Sequence, residues 1–201
     1  VMLPNILKDV DHIVLMPRCG RHIILGSSLA LKAGMGYWRN DSRLESHSDP
    51  SNIHKRTAEA NWCPSLLSKL RLVITCATKV LTTYGPDYGW IVTPSTGLII
   101  ASESIVAHDM VNLAWLIKNR ALVCLTNGPL ESDPAIGWIA NSLVVGWLGG
   151  SASDIKEGAL YKDDLKDIWH DPILNHAYSL LEQVPTIEYQ TANDKIPDDI
   201  L

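Results

Sequence analysis

HIVLM, from His12 to Met16, is a short apolar run stopped by Pro17, and it reads as a buried strand opening into a loop. The loop, Pro17-Arg-Cys-Gly-Arg-His22, delivers two guanidinium groups and an imidazole directly after that strand. In open α/β sheets ligands gather beyond the carboxyl ends of strands, so this loop is the first place to expect a site. Working outward, His22 to Leu25 reads as a second strand, and Gly26, Gly34 and Gly36 punctuate the stretch after it. Arg39 to Ser51 is polar and reads as a loop. Asn52 is placed to cap a helix running to about Trp62, before Pro64 interrupts it.

RLVIT (Arg71 to Thr75) and GLIIA (Gly97 to Ala101) read as further buried strands, with a turn at Tyr84-Gly-Pro-Asp-Tyr-Gly89 between them. Ser102 or Ser104 can cap the next helix, which carries Ile105, Val106, Met110, Val111, Leu113 and Trp115 to about Lys118. Ala121 to Leu125 is another strand candidate. Asp133-Pro134 offers a helix start and Gly149-Gly150 a stop, and Pro172 to Val184 reads as an amphipathic helix. No internal repeat emerges. Strands alternating with helices give an α/β class, with a mostly parallel or mixed sheet flanked by helices. The expected organisation is an α/β core over 1–150 and an acidic appendage over 151–201 packed on the same domain.

The 201 residues are 46% hydrophobic and 19% charged, an ordinary globular balance able to bury a sizeable core. A net charge of -5 argues against a nucleic-acid binder. The charge is unevenly spread. Residues 18–47 hold Arg18, Arg21, Lys32, Arg39 and Arg43 against Asp41 and Glu45, a net +3, whereas residues 151–201 carry -7. The basic segment suits an anion, or else pairs with the acidic tail. Cys19, Cys63, Cys76 and Cys124 show no zinc or iron–sulfur spacing, so no metal site is expected, and each sits among apolar residues as buried free thiols do. That pattern, with no signal peptide and no apolar run of the roughly 20 residues a membrane span needs, predicts a soluble cytoplasmic protein. The chain opens at Val1 rather than methionine, as a fragment or processed form would.

The chemistry-bearing candidates follow. Arginine forks grip carboxylate or phosphate, and histidine moves protons near neutral pH. Arg18, Arg21, Lys32 and Arg43 are expected as anion contacts, with His22 and His47 as proton-transfer candidates. Lys32 precedes Ala-Gly-Met-Gly36, which lacks the spacing of a P-loop or dinucleotide fingerprint. His108, Asp109 and Asn112 share one face of their helix, fit either for substrate or metal or for solvent. Adjacent helical side chains diverge, so His108 and Asp109 are not expected to act as a pair.

Taken in order, the segments resemble one family, the domain of unknown function 362. The resemblance runs through DHIVLMPRCGRH (Asp11 to His22), SLALKAGMG up to Gly36, DSRLESH with Arg43 and His47, LRLVITCATKVLTTYGPDYG, and LIIASESIVAHDMV with Asp109. It covers about residues 10–117. Departures fall at Gly20, Ala33 and Cys76, where the family pattern has lysine, asparagine and aspartate, and the family's N-terminal portion is expected to be missing. The resemblance implies a bacterial or archaeal protein, an anionic small-molecule ligand, and an iron–sulfur protein as partner in a redox-linked setting. It brings no established reaction or cofactor. The functional expectation is an enzyme-like domain with His22, His47 and Asp109 as its catalytic group; the other reading is an interaction domain docking an acidic partner.

Overall fold

The computed structural model describes residues 3–22, 25–47, 49, 51–83, 85, 89–123, 143, 146 and 167–193. The HIVLM run forms β1 (Ile13–Leu15), which pairs in parallel with β4 (Leu70–Ala77), the strand expected from RLVIT. β4 pairs antiparallel with β7 (Leu98–Ser102), Val73 opposite Ser102 and Ala77 opposite Leu98. The sheet order is β1-β4-β7. A second sheet, ordered β3-β2-β5-β6, is built from β2 (Gly20–His22), β3 (Gly26–Ser28), β5 (Val80–Leu81) and β6 (Ile91–Val92). Here only the β2–β5 contact is parallel.

The sheets are therefore mixed rather than mostly parallel. The reason lies in the connections: β2 and β3 are separated by three residues, and a link that short can only reverse the chain. Gly26, at the start of β3, sits at φ +77°, where a β-carbon is strained.

Helix α6 (Ile105–Arg120) is the central packing element. Ser104 is its N-cap, with the hydroxyl accepting from Ala107 N at 3.2 Å, and Lys118 and Arg120 complement its C-terminal dipole. Its buried side chains meet the inward residues of β4, where Val73, Thr75 and Ala77 alternate with more exposed neighbours as a half-buried strand should. Trp115 Nε1 donates to Ala77 O at 3.2 Å and Arg120 Nη1 to Thr82 O at 2.7 Å, which ties the helix to the ends of β4 and β5.

The expected helix after Asn52 forms as α4 (Ile53–Glu59), continued by a 3₁₀ turn over Ala60–Trp62 and then α5 (Pro64–Leu67) with proline at its first position. Asn52 is the boundary residue but makes no cap bond; its Nδ2 donates to the Asp49 carboxylate instead, at 3.0 Å. The expected loop over 39–51 is half wrong. Asn40–His47 is a helix, α3, preceded by the short α2 (Ala30–Ala33) and a 3₁₀ turn over Gly34–Tyr37. At the N-terminus α1 spans Ile6–Asp9.

Ala121 to Val123 is turn and bend, not the expected strand, while residues 124 and 125 lie outside the described residues, as do the helix boundaries expected at Asp133-Pro134 and Gly149-Gly150. The Pro172 helix forms as α7 (Pro172–Leu181), capped by Asp171 at its start and by Glu182 in the left-handed region at its end. Ile173, Leu174, Ala177 and Tyr178 of α7 belong to the same apolar cluster as Leu113, Leu116 and Val73. Among the described residues no helix is long and apolar enough to cross a membrane.

Candidate functional site

Where β1 ends, Thr75 Oγ1 donates to Pro17 O at 3.3 Å and pins the loop against β4. Arg18 and Cys19 follow, and the chain then pairs as β2 against Leu81 of β5. β4 likewise ends at Ala77, and Lys79 lies just beyond it. The carboxyl ends of the parallel pair β1 and β4 thus deliver Arg18 and Lys79 to one cleft of about 280 Å³ between the two sheets. Arg21, only 2% exposed, lines it from β2, and Ser28 lines it from β3. Leu81 and Ile91 form an apolar side. No aspartate, glutamate or histidine is among the described residues that line the cleft. Arg18 and Lys79 are exposed, and neither has an ion-pair partner among the described residues.

A second polar group lies behind this cleft and is sealed. Asp109 takes Ala30 N–H on Oδ1 at 2.8 Å and Leu31 N–H on Oδ2 at 2.7 Å. Helix α2 has only four residues and no side-chain cap of its own, so a carboxylate from α6 supplies the acceptors its first N–H groups need. His108 Nδ1 lies 3.0 Å from the same carboxylate, and Asn112 Nδ2 lies 3.0 Å from His108 Nε2. The neutral tautomer protonated on Nδ1 satisfies both contacts, with Nε2 accepting from the amide. Cys19 Sγ donates to Asn112 O at 3.6 Å, and burial, reinforced by the nearby Asp109 charge, pushes its thiol well above the usual range.

Asp171 closes the same region from the start of α7, accepting from Leu174 N at 2.8 Å. Burial pushes its carboxyl up to about 6; the Leu174 N–H bond opposes the rise, the Asp109 charge adds to it, and a hydrogen bond from Ser27 lowers it again.

The His108 face is not a solvated surface: these side chains are buried inside the protein, and His108 lies in the wall of a cavity of about 670 Å³ beside β7. The expected divergence of His108 and Asp109 also fails. Both bend toward the N-terminus of α2, where the cap bonds hold one carboxylate oxygen within reach of the imidazole. Among the described residues no group of three or more His, Cys, Asp or Glu side chains is placed to hold a metal ion.

Residues 1–114, over half of the chain, match the family described as Domain of unknown function (DUF362). The chain belongs to that family. None of the curated proteins and none of the solved structures matches it.

All seven sequence-derived candidates lie inside the DUF362 region, and the structure does not bring them together in one place. Arg18 and Arg21 line the cleft. Asp109 is in the sealed cluster, with its hydrogen bonds running to Ala30, Leu31 and His108. Lys32 is on α2 and Arg43 on α3, where Arg43 bonds Asn40, and neither is among the described residues lining the cleft. His47 is the last residue of α3, and its side chain lies outside the described residues. His22 is buried at the end of β2, beside Gly85, whose φ is +73° and where a β-carbon would stand 1.8 Å from Arg21 O.

Gly20 and Cys76, where the resemblance implied lysine and aspartate, line the cleft. Cys76 is exposed and Cys63 half-buried, so the expected burial holds for Cys19 alone of the three; Cys124 lies outside the described residues. Lys79 was missed by sequence reasoning. A single lysine after a strand carries no motif, and only the β1–β4 pairing brings it to Arg18.

Proposed function

We propose that this DUF362 protein binds a small anionic molecule in the cleft bounded by Arg18, Arg21 and Lys79. The observation that carries the reading is the composition of that cleft: three cationic side chains, a hydroxyl at Ser28, and no carboxylate among its described lining. Anions favour such a concavity because no described carboxylate lines it to compete for the exposed Arg18 and Lys79, and guanidinium groups add directed hydrogen bonds. The position at the carboxyl ends of parallel strands supports it further. The concave setting favours a small ligand over the acidic protein partner, which would call for cations on a convex face. Arg39, the most exposed of the outlying arginines with a described partner, is paired with Asp41 at 3.1 Å.

The test is calorimetric titration of sulfate and phosphate into the protein at fixed ionic strength. Arg18→Gln and Lys79→Gln should each weaken binding about tenfold, the scale of one lost charged hydrogen bond. Equal binding in Arg18→Gln, Lys79→Gln and the parent would overturn the reading, as would a loss confined to Arg43→Gln.

A further inference from the structure

Resting on the anion-site reading, the cleft says more about its ligand than charge alone. Its second wall is apolar and open. In the β5–β6 hairpin Val80 is fully buried in the core while Leu81, the next residue, turns to the cleft. Ile91, paired with Leu81 across the hairpin, also lines the cleft and is 64% exposed. Core packing accounts for Val80 but not for a large aliphatic side chain left open inside a concavity. Beside Leu81 on the paired strand β2 stands Gly20, where a β-carbon would come within 3.1 Å of Leu81 Cβ, so the absence of a side chain leaves Leu81 uncrowded. An inorganic ion held by the three cations would leave Leu81 and Ile91 wet. A dinucleotide would exceed a cleft of about 280 Å³, near the lower end of small-molecule sites.

We propose that the ligand is a compact organic oxyacid, its carboxylate or phosphate head held by Arg18, Arg21 and Lys79 and its short hydrocarbon body laid on Leu81 and Ile91. Ser28 stands on the cleft wall as a neutral donor or acceptor for one polar substituent on that body.

The experiment is a chain-length series measured by calorimetry: acetate, propionate, butyrate, valerate and hexanoate, the matched alkyl phosphates from methyl to butyl, and inorganic phosphate. Each methylene that reaches the wall should tighten binding roughly threefold, as burial of a CH₂ does, until the body outgrows the cleft and the gain stops. Ile91→Thr keeps a β-branched residue in the strand and removes most of the apolar contact, and it should flatten the series. Leu81→Ala is the second variant and should flatten it too. Whichever of the carboxylate and phosphate series is tighter at equal length identifies the head group. If inorganic phosphate binds but both parent series are flat, the oxyacid proposal fails and the anion site stands. If the series rises equally steeply in the parent, Ile91→Thr and Leu81→Ala, the hydrocarbon lies elsewhere and the proposal fails. If no anion binds, the anion-site reading fails with it.

Discussion

The β2–β3 hairpin separates two polar regions, one cationic and open, the other built of His, Asp and Asn side chains and buried. On one side the cleft gathers Arg18, Arg21 and Lys79 with no described carboxylate, and two of the three cations are open to solvent. On the other, His108, Asp109, Asn112 and Asp171 are buried. Adjacent strand residues point to opposite faces, so Ser28 lines the cleft while Ser27 reaches the sealed region. The difference is in how the polar groups are used. Asp109 has its hydrogen bonds inside the protein, where they hold α2 against α6. The exposed cations of the cleft are available to a ligand. Polar residues near one another are thus divided into fold and candidate function by their burial and their partners.

The comparison breaks most readily at Asp109. Asp109→Ala removes the acceptor for two backbone N–H groups and for His108 in a sealed setting, and should cost about 3 kcal/mol in urea unfolding. A cost under about 1 kcal/mol would show that the cap bonds are not what fixes α2.

Asp171 provides the next largest effect, through pH. Its folded value of about 6 exceeds the roughly 3.9 of an unfolded aspartate, so the folded state holds the proton more tightly. The stability this contributes is fully present below about pH 4 and is lost as pH rises through 6, on the order of 3 kcal/mol in all. Asp171→Asn keeps an oxygen for Leu174 N–H and removes the ionisation. It should be the more stable protein at pH 8 and lose that advantage by pH 4, in parallel denaturant titrations. His54 works in the opposite direction: burial lowers its value to about 4, so its contribution is lost as pH falls from about 6.5. Taking the difference between variant and parent removes that shared trend.

A smaller effect sharpens the open side. Lys79→Gln should leave unfolding within about 0.5 kcal/mol of the parent, because the side chain is exposed, while weakening anion binding about tenfold. Smallest is a difference of labelling rate. Iodoacetamide should modify Cys76 readily and Cys19 only on unfolding, and saturating phosphate should slow Cys76 alone, read peptide by peptide in a mass spectrometer. Equal protection of Cys63 would detach that effect from the cleft.

Much of the frame was legible because apolar runs report burial directly. HIVLM, RLVIT and GLIIA became β1, β4 and β7, and Ser104 and Pro172 marked helix starts. Helix α3 was not, since NDSRLESH has no apolar stripe and its composition matches a loop. The sequence left open whether the sheet is mostly parallel or mixed, because direction depends on which strands pair, and that is a long-range property. At the candidate site, the proline loop pointed to Arg18 and Arg21, and both line the cleft. Lys79 and the cap formed by Asp109 on α2 depend on contacts between residues far apart in the chain, and no local pattern encodes them.

Anion binding in the cleft, rather than along the wider basic segment, can be located crystallographically. Crystals soaked in selenate and measured at the selenium edge test it directly. The account predicts an anomalous peak within hydrogen-bond reach of Arg18, Arg21 and Lys79. An empty cleft, with selenate instead on Lys32 or Arg43, would contradict it.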